Sequence, residues 1–335
     1  MVIVTMDGGT TNTRVLFWKD GRLLGKAAAP VGVRVTAMEG SDRRLKETIR
    51  RLLDEGADAT GVSGKEIGLI IASGMLTSNL GLMEIPHETA PLRPEELASR
   101  MVERRLPELA GDTPFWFVPG VKNMADQDLR EENCLSMDMM RGEETEAAAL
   151  LAHYRPQGAT VLVLPGSHNK YIAVTEDGRI AGCLTSLTGE LLQNLTENSI
   201  LAGSVARGFA ERFLPEPFLR GVRWGAATGL GHGAFLCRIH EQFFHDKPLE
   251  AQNYLLGLLL GDDWKTLVNH PLFGNLDQAT FLVAGRPVMQ QAYQCLFAQQ
   301  HWHTELVREE LQQTLAGRGA LELAFLRGLI QEEPL

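Results

Sequence analysis

Two short polar turns and one acidic cluster hold most of the chemistry this sequence offers. In the first turn, the apolar run Val2-Ile3-Val4-Thr5-Met6 leads into Asp7-Gly8-Gly9-Thr10-Thr11-Asn12, and the chain leaves through Thr13-Arg14-Val15-Leu16-Phe17-Trp18. Gly8 and Gly9 let backbone N–H groups come close to a phosphate, and Thr10, Thr11 and Asn12 add short donors. Asp7 stands at the strand end, where one carboxylate can hold a Mg²⁺ that keeps most of its waters. Two β-formers around a glycine turn also describe a plain hairpin. The turn by itself does not separate the two readings.

A second copy does. At an offset of 157 residues, the distance from Asp20 to Asp177, Val161-Leu162-Val163-Leu164-Pro165-Gly166-Ser167-His168-Asn169-Lys170-Tyr171-Ile172-Ala173-Val174 falls on the first stretch without a gap. Gly9 meets Gly166, Thr10 meets Ser167 and Asn12 meets Asn169; beyond them Asp20-Gly21-Arg22 meets Asp177-Gly178-Arg179 and Gly25 meets Gly182. Each half thus reads strand, polar turn, strand, Asp-Gly turn, strand, so two phosphate turns could serve one nucleotide. Leu164 and Pro165 replace Asp7 and Gly8 in the second copy. Asp7 is therefore the sole strand-end candidate for a metal. His168 and Lys170 bring positive character to the second turn. Lys170 either neutralises phosphate charge or points outward as the first residue of the outgoing strand.

The acidic cluster is Gly142-Glu143-Glu144-Thr145-Glu146, at the head of the helical run Ala147 to Ala152. Carboxylates in a first helical turn are favoured by the helix dipole. One of them is equally suited to take a proton from an attacking hydroxyl. Neighbouring helical residues point about 100° apart, so Glu143 and Glu144 cannot both face one hydroxyl. Glu146 reads as solvated, and Asp126, Asp128 and Asp138 are the next carboxylates upstream.

These groups need elements to position them. Arg22 to Ala28 reads as a third strand, and Ser41 caps a helix through about Asp54 with Leu45, Ile49 and Leu52 at helical spacing. Ile67 to Ala72 is a buried strand, and ligands in open α/β sheets sit beyond the carboxyl ends of strands. That places the loop from Ser73 to Leu82 at a cleft. Pro91 to Arg105 reads as a helix, and Phe115 to Val118 as a strand ending in the loop Pro119 to Asn123. Phe209 to Leu260 reads as a helical insertion (about 205–270). Ala279 to Ala284 is a strand ending at Gly285-Arg286-Pro287, a turn that suits an adenosine site or a simple strand-to-helix link. The tail from Glu309 to Gly328 reads as helical, broken at Ala316 to Gly319.

At 335 residues two domains are expected, here 1–153 and 154–335. The 44% hydrophobic and 22% charged content is that of a globular protein. A net charge of −10 argues against nucleic acid as a partner. Four separated cysteines and scattered histidines give no metal-ligand spacing. No signal segment and no apolar run long enough for a bilayer appear, so a cytoplasmic protein without membrane contact is expected. Whether it forms a homo-oligomer is open.

Asp7 to Arg14, Ser73-Gly74-Met75-Leu76-Thr77-Ser78-Asn79-Leu80-Gly81, Val118-Pro119-Gly120-Val121, Met140-Arg141-Gly142-Glu143-Glu144-Thr145, Leu164-Pro165-Gly166-Ser167-His168-Asn169-Lys170 and Thr188-Gly189-Glu190-Leu191 occur in order along nearly the whole chain. Together they resemble the 2-dehydro-3-deoxygalactonokinase family of the actin-like ATPase (hexokinase) superfamily. The resemblance implies an α/β fold of two ribonuclease H-like lobes with a central cleft. It implies an ATP-dependent, Mg²⁺-requiring kinase acting on the terminal hydroxyl of a small 2-keto-3-deoxy sugar acid, foremost 2-dehydro-3-deoxy-D-galactonate. Asp7 would be catalytic and metal-binding, and Glu143 or Glu144 the base. Gly8, Gly9, Thr10, Thr11, Asn12, Arg14, Gly166, Ser167, His168, Asn169, Lys170, Gly189 and Gly285 would bind ATP. Ser73, Gly74, Asn79, Lys122, Asn123 and Arg141 would bind the sugar acid, whose carboxylate calls for a cation such as Arg141 or Lys122. A phosphohydrolase of the same superfamily and a non-catalytic nucleotide-binding module are the alternatives.

Overall fold

The computed structural model describes residues 1–334. The chain divides into two units, one of residues 1–156, 178–182 and 313 onward, the other of residues 157–177 and 183–312.

The strands of unit 1 are β1 (Val2–Gly8), β2 (Thr13–Lys19), β3 (Arg22–Ala29), β4 (Ile67–Gly74), β5 (Glu88–Thr89), β6 (Val102–Arg105), β7 (Pro114–Phe117), β8 (Val121–Lys122) and β9 (Met139–Met140). Its main sheet has the order β3-β2-β1-β4-β7-β6. The first three strands form an antiparallel meander, and β4 and β7 continue parallel to β1. β1 and β4 are apolar along almost their whole length because helices cover both faces of a parallel sheet centre. The helices are α1 (Arg34–Glu39), α2 (Arg43–Thr60), α3 (Pro94–Ser99), α4 (Pro107–Ala110) and α5 (Glu143–Tyr154). Leu45, Ile49, Leu52 and Leu53 of α2 join Phe17, Phe115 and Phe117 of the sheet in one core. Burial of each such side chain contributes roughly 1.5–3 kcal/mol. A small sheet, β5-β8-β9, sits beside it.

Unit 2 repeats the theme. β10 (Thr160–Leu164), β11 (Asn169–Val174), β12 (Ile180–Ser186), β13 (Thr280–Val283) and β14 (His303–Leu306) lie in the order β12-β11-β10-β13-β14. β10 is antiparallel to β11 and parallel to β13, and β13 is parallel to β14. Both sheets therefore share the 3-2-1-4-5 strand order of a ribonuclease H-like lobe. The helices are α6 (Thr188–Asn198), α7 (Pro215–Ile239), α8 (Pro248–Asn269), α9 (Pro287–Ala298) and α10 (Glu309–Gln312). α7 and α8 lie in the chain between β12 and β13.

Three expectations change. The helix proposed over Pro91 to Arg105 stops at Ser99, and Val102–Arg105 is an edge strand antiparallel to β7. Its Glu-Arg-Arg sequence suits an edge, where charge discourages further pairing. The helix from Ser41 starts at Arg43, with Ser41 Oγ accepting from the Arg43 N–H (3.3 Å), and runs on to Thr60. The tail does not break at Ala316 to Gly319: α11 (Leu315–Leu326) is continuous there.

α11 also belongs to unit 1 and not to the second lobe drawn at 154–335. Its small residues explain why. A β-carbon at Gly319 would lie 1.8 Å from Thr145 O, and one at Gly317 would lie 2.9 Å from Thr5 Oγ1 and from Trp18. The glycines let α11 lie directly on α5 and on the β1–β2 hairpin. The Arg318 guanidinium sits 5.8 Å from the Trp18 ring centre, and Trp18 Nε1 donates to Thr5 Oγ1 at 2.8 Å. Among the described residues, no helix is long and apolar enough to cross a membrane.

Candidate active site

In unit 1 three chain segments converge on Asp7. β1 ends there; β4 runs beside it in register, placing Ser73 level with Asp7 and Gly74 level with Gly8. Across the antiparallel pair, Asp7 faces Arg14, which is exposed. The third segment is the start of α5. Gly74 has φ +69°, and a β-carbon on it would lie 2.5 Å from Gly8 O and 2.7 Å from Asp7 Oδ1. Gly142, with φ +117°, would place a β-carbon 3.3 Å from Gly74 Cα. Conformation and space both require glycine at these two positions.

Glu143 and Glu144 take different roles at the head of α5. Glu144 is fully buried, and its carboxylate folds back to accept the Gly142 N–H (2.7 and 2.9 Å) and the Thr145 hydroxyl (3.2 Å). It caps its own helix. Glu143 is part-exposed and accepts the Arg141 N–H at 3.1 Å. Burial, then the charge of Glu143, pushes the Glu144 carboxyl up to about 7. Burial raises Asp7 to about 6, with Arg14 opposing and Glu143 adding to the rise. Glu146 is raised to about 8 by burial and then by Asp7, Glu143 and Glu144. Glu146 is half-buried, so it is not the solvated residue expected. The sequence carries the signal, since Glu143 and Glu146 are three apart and share a helix face.

These carboxylates repel one another, and such a site is relieved by a divalent cation. Among the described residues, no three His, Cys, Asp or Glu side chains gather in metal-binding geometry. That excludes an all-protein cage, not Mg²⁺, which takes one or two carboxylates and completes its shell with water and phosphate. Asp7 fits that donor set.

The residues expected to meet the sugar acid are spread over several roles. Ser73 is buried, its hydroxyl donating to Met6 O at 3.3 Å; Asn79 is exposed. Asn123 donates from Nδ2 to Ser136 O (3.0 Å) and so ties down its own loop. Lys122 is ion-paired to Asp126 at 2.6 Å. Arg141 donates to Thr77 O (2.8 Å), Thr77 Oγ1 (2.5 Å), Ile85 O (3.0 Å) and His87 Nδ1 (3.1 Å). Part of its guanidinium therefore pins the 75–87 segment. A guanidinium only donates, so His87 Nδ1 accepts and the ring proton sits on Nε2. Burial, then Arg141 and Lys122, lowers His87 to about 4.

The two polar turns are built alike, each within its own unit. Gly9 N donates to Asn12 O (2.8 Å), and Thr10, Thr11 and Asn12 are exposed. A β-carbon at Gly32 would lie 2.3 Å from Gly9 O, and Arg34 N donates to Thr10 O at 3.0 Å. In unit 2, a β-carbon at Gly189 would lie 2.1 Å from Gly166 O, and Glu190 N donates to Ser167 O at 3.0 Å. Gly32 and Gly189 obey the same 157-residue offset as the turns. Each turn is thus held by a glycine contact and an N–H from the segment that leads into, or begins, a helix.

Gly166, Ser167 and His168 are exposed, with His168 Nε2 3.0 Å from Glu190. Gly285, with φ +97°, lies against Pro165 beside this turn. Asn169 and Lys170 are turned inward. The Asn169 amide is engaged by Gly166 N, Asp263 and Tyr293, and Lys170 Nζ lies 2.5 Å from Thr185 Oγ1. Neither side chain extends outward as a free phosphate ligand. Asp263 and Tyr293 anchor Asn169, and Tyr171 bonds to both of them; nothing in their local sequence marks these three residues.

A family model described as 2-keto-3-deoxy-galactonokinase matches residues 7–321. A curated relative, "Probable 2-dehydro-3-deoxygalactonokinase DgoK1" of Rhizobium meliloti (strain 1021), is 28% identical over 202 residues, which is 60% of this chain and 58% of that protein. The chain thus spans under two thirds of that relative's length. A crystal structure from Sinorhizobium meliloti, provisionally identified as a 2-dehydro-3-deoxygalactonokinase, superposes with TM-score 0.74 at 21% identity over 96% of this chain and 98% of that one. The Acidaminococcus fermentans (R)-2-hydroxyglutaryl-CoA dehydratase component A gives TM-score 0.50 at 11% identity over 98% and 100%. Both are likenesses of fold, and each extends over nearly the whole chain.

Proposed function

The chain belongs to the 2-keto-3-deoxy-galactonokinase family, and from that premise we propose that it transfers the γ-phosphoryl group of ATP to the terminal hydroxyl of a 2-keto-3-deoxy sugar acid, with 2-dehydro-3-deoxy-D-galactonate as the first candidate. The observation that supports the reading is the part-exposed Glu143 beside Asp7, where two parallel strand ends meet a helix start. Phosphoryl transfer asks mainly for positioning and charge neutralisation, and this site offers both.

In this reading the N–H groups and hydroxyls of Gly8 to Asn12 hold phosphate oxygens, with Arg14 supplying positive charge across the hairpin. Gly166, Ser167 and His168 offer a second set of donors. Asp7 would hold Mg²⁺, which when bound neutralises charge on the triphosphate. Glu143 takes the proton of the attacking hydroxyl, whose oxygen forms the new P–O bond as the bond from the γ-phosphorus to the bridging oxygen breaks and ADP leaves. Glu144 caps the helix and keeps Glu143 turned outward. Lys122 and the part of Arg141 not committed to the 75–87 segment attract the substrate carboxylate.

The test is ADP release from ATP with and without a panel of 2-keto-3-deoxy sugar acids. ADP formation that depends on the sugar acid supports the proposal; phosphate release independent of it would point to a hydrolase. Glu143→Gln should lower turnover by about 10²–10⁴-fold with ATP affinity little changed. If Glu143→Gln keeps half the parent rate, the base lies elsewhere.

A further inference from the structure

The second turn is anchored from beneath by a buried hydrogen-bond network that no part of the reaction just described uses. Asp263 of α8 is 5% exposed and meets no cation in it. Its Oδ1 accepts from Ser186 Oγ (2.5 Å) and Thr188 Oγ1 (2.6 Å). Its Oδ2 accepts from Asn169 Nδ2 (3.0 Å) and Tyr171 OH (2.9 Å). Asn169 Nδ2 also donates to Tyr293 OH at 3.0 Å, and the two tyrosine hydroxyls are 2.8 Å apart. Asn169 Oδ1 accepts the Gly166 N–H at 3.2 Å.

The donor and acceptor roles follow from the carboxylate at the centre of the network. An ionised carboxylate only accepts, so the Asn169 face toward Asp263 must be its NH₂ group. Its carbonyl must then face Gly166. Tyr171 gives its proton to Asp263, so Tyr293 gives its own to Tyr171 and accepts from Asn169. Burial holds both phenols protonated, well above their ordinary range. Every donor in the chain has one acceptor.

We propose that Asp263 is a positioning residue for the second phosphate turn: by fixing the orientation of the Asn169 amide it makes Oδ1 the acceptor for Gly166 N–H, and so sets the turn that presents Ser167 and His168. The same carboxylate holds Ser186 at the end of β12 and Thr188 at the start of α6, the helix whose Gly189 and Glu190 brace that turn from the other side. One buried carboxylate thereby ties β11, α6 and α9 to the geometry of a four-residue loop. The ligand class is the phosphate chain of a nucleotide, and this part rests on the kinase reading; the effect on the turn itself does not.

Asn169→Asp sets two carboxylates against each other where a 3.0 Å hydrogen bond stood, and should loosen the turn. In Asn169→Asp/Asp263→Asn the polarity is reversed and every bond can reform. Asn at 263 donates to Asp at 169 and to Tyr171, Tyr171 donates to Tyr293, Tyr293 donates to the new carboxylate, and Gly166 keeps its acceptor. Amide hydrogen exchange at the N–H groups of residues 166–170 reads the turn directly, without nucleotide. The single variant should exchange there at least about 10-fold faster than the parent while the strands β10 and β13 keep their protection, and the double variant should recover most of the loss. In kinetics the single variant should raise KM for ATP about 10-fold more than it lowers kcat, with recovery in the double variant. Equal exchange in parent and single variant, or a folded double variant without recovery, would overturn the proposal. If Asn169→Asp does not fold, Tyr293→Phe carries the test, and unchanged exchange at 166–170 in it would likewise overturn the assignment. A parent that binds no nucleotide would remove the kinase reading and leave the exchange result to stand by itself.

Discussion

Replacing Glu144 with Gln should alter how stability depends on pH, and the size follows from the site. Glu144 is fully buried, and its carboxyl titrates near 7 in the folded protein against an ordinary value of 4.5. Between those values the folded chain holds a proton that the unfolded chain has released, so stability falls as pH rises. Below about pH 4.5 both states are protonated and nothing is lost; above about pH 7 the full penalty is present. A shift of about 2.5 units corresponds to roughly 3 kcal/mol. Gln keeps a carbonyl for the Gly142 N–H but cannot ionise, so this loss disappears in the variant. Its NH₂ group carries a pH-independent cost of about 1 kcal/mol, so the readout is a difference of differences. His87, lowered to about 4, contributes the opposite slope, but it is common to both proteins and cancels. Part of the penalty is already present at pH 5, so about 2.5 kcal/mol falls between pH 5 and pH 8; at roughly 2–4 °C per kcal/mol for a unit of this size, the melting temperature of Glu144→Gln relative to parent should rise by about 5–10 °C over that range. Melting of both proteins without ligand, at half-unit pH steps, measures it. Parallel profiles would refute the buried-carboxylate argument.

Two further substitutions probe the neighbouring positions. Asp7→Asn should lower turnover by orders of magnitude with the fold intact by circular dichroism; near-normal turnover at saturating Mg²⁺ would remove Asp7 from the site. Gly74→Ala places a methyl 2.7 Å from Asp7 Oδ1 at φ +69°, so about 1–3 kcal/mol of stability and most of the turnover should go together. A variant with parent-like melting and parent-like rate would show that the approach of Gly74 to Asp7 is dispensable.

The parts of this protein that were legible in its sequence are those governed by local rules. The apolar runs at Val2 and Val161, the polar turns after them and the carboxylates at the head of α5 are fixed by period, turn chemistry and helix dipole. The 157-residue offset made the second turn recognisable, and it held the Gly32–Gly189 correspondence as well. What stayed hidden depends on long-range contact. Glu144 and Glu143 are adjacent and chemically identical, and only the fold-back onto Gly142 separates the cap from the exposed carboxylate. Asp263 lies 94 residues from Asn169, and nothing in its local sequence marks it as the partner of a loop. Val102–Arg105 was misread for a related reason: four residues at a sheet edge have little burial pattern to show. The glycines at 317 and 319 look like a helix break until α5 and Trp18 are seen against them.

That last contact sets an order of events during synthesis. α5, which presents Glu143, is packed beneath residues 315–326, and these leave the ribosome after the whole of unit 2. Domains generally fold as they emerge, at about 5–20 residues per second. Unit 1 cannot follow that schedule, because its sheet and its carboxylate helix wait with one flank uncovered while some 160 further residues are made. Unit 2 can finish first, although it is the second to be translated. A nascent chain stalled before Leu315 would hold every acidic group of the site and still lack the helix that seats them.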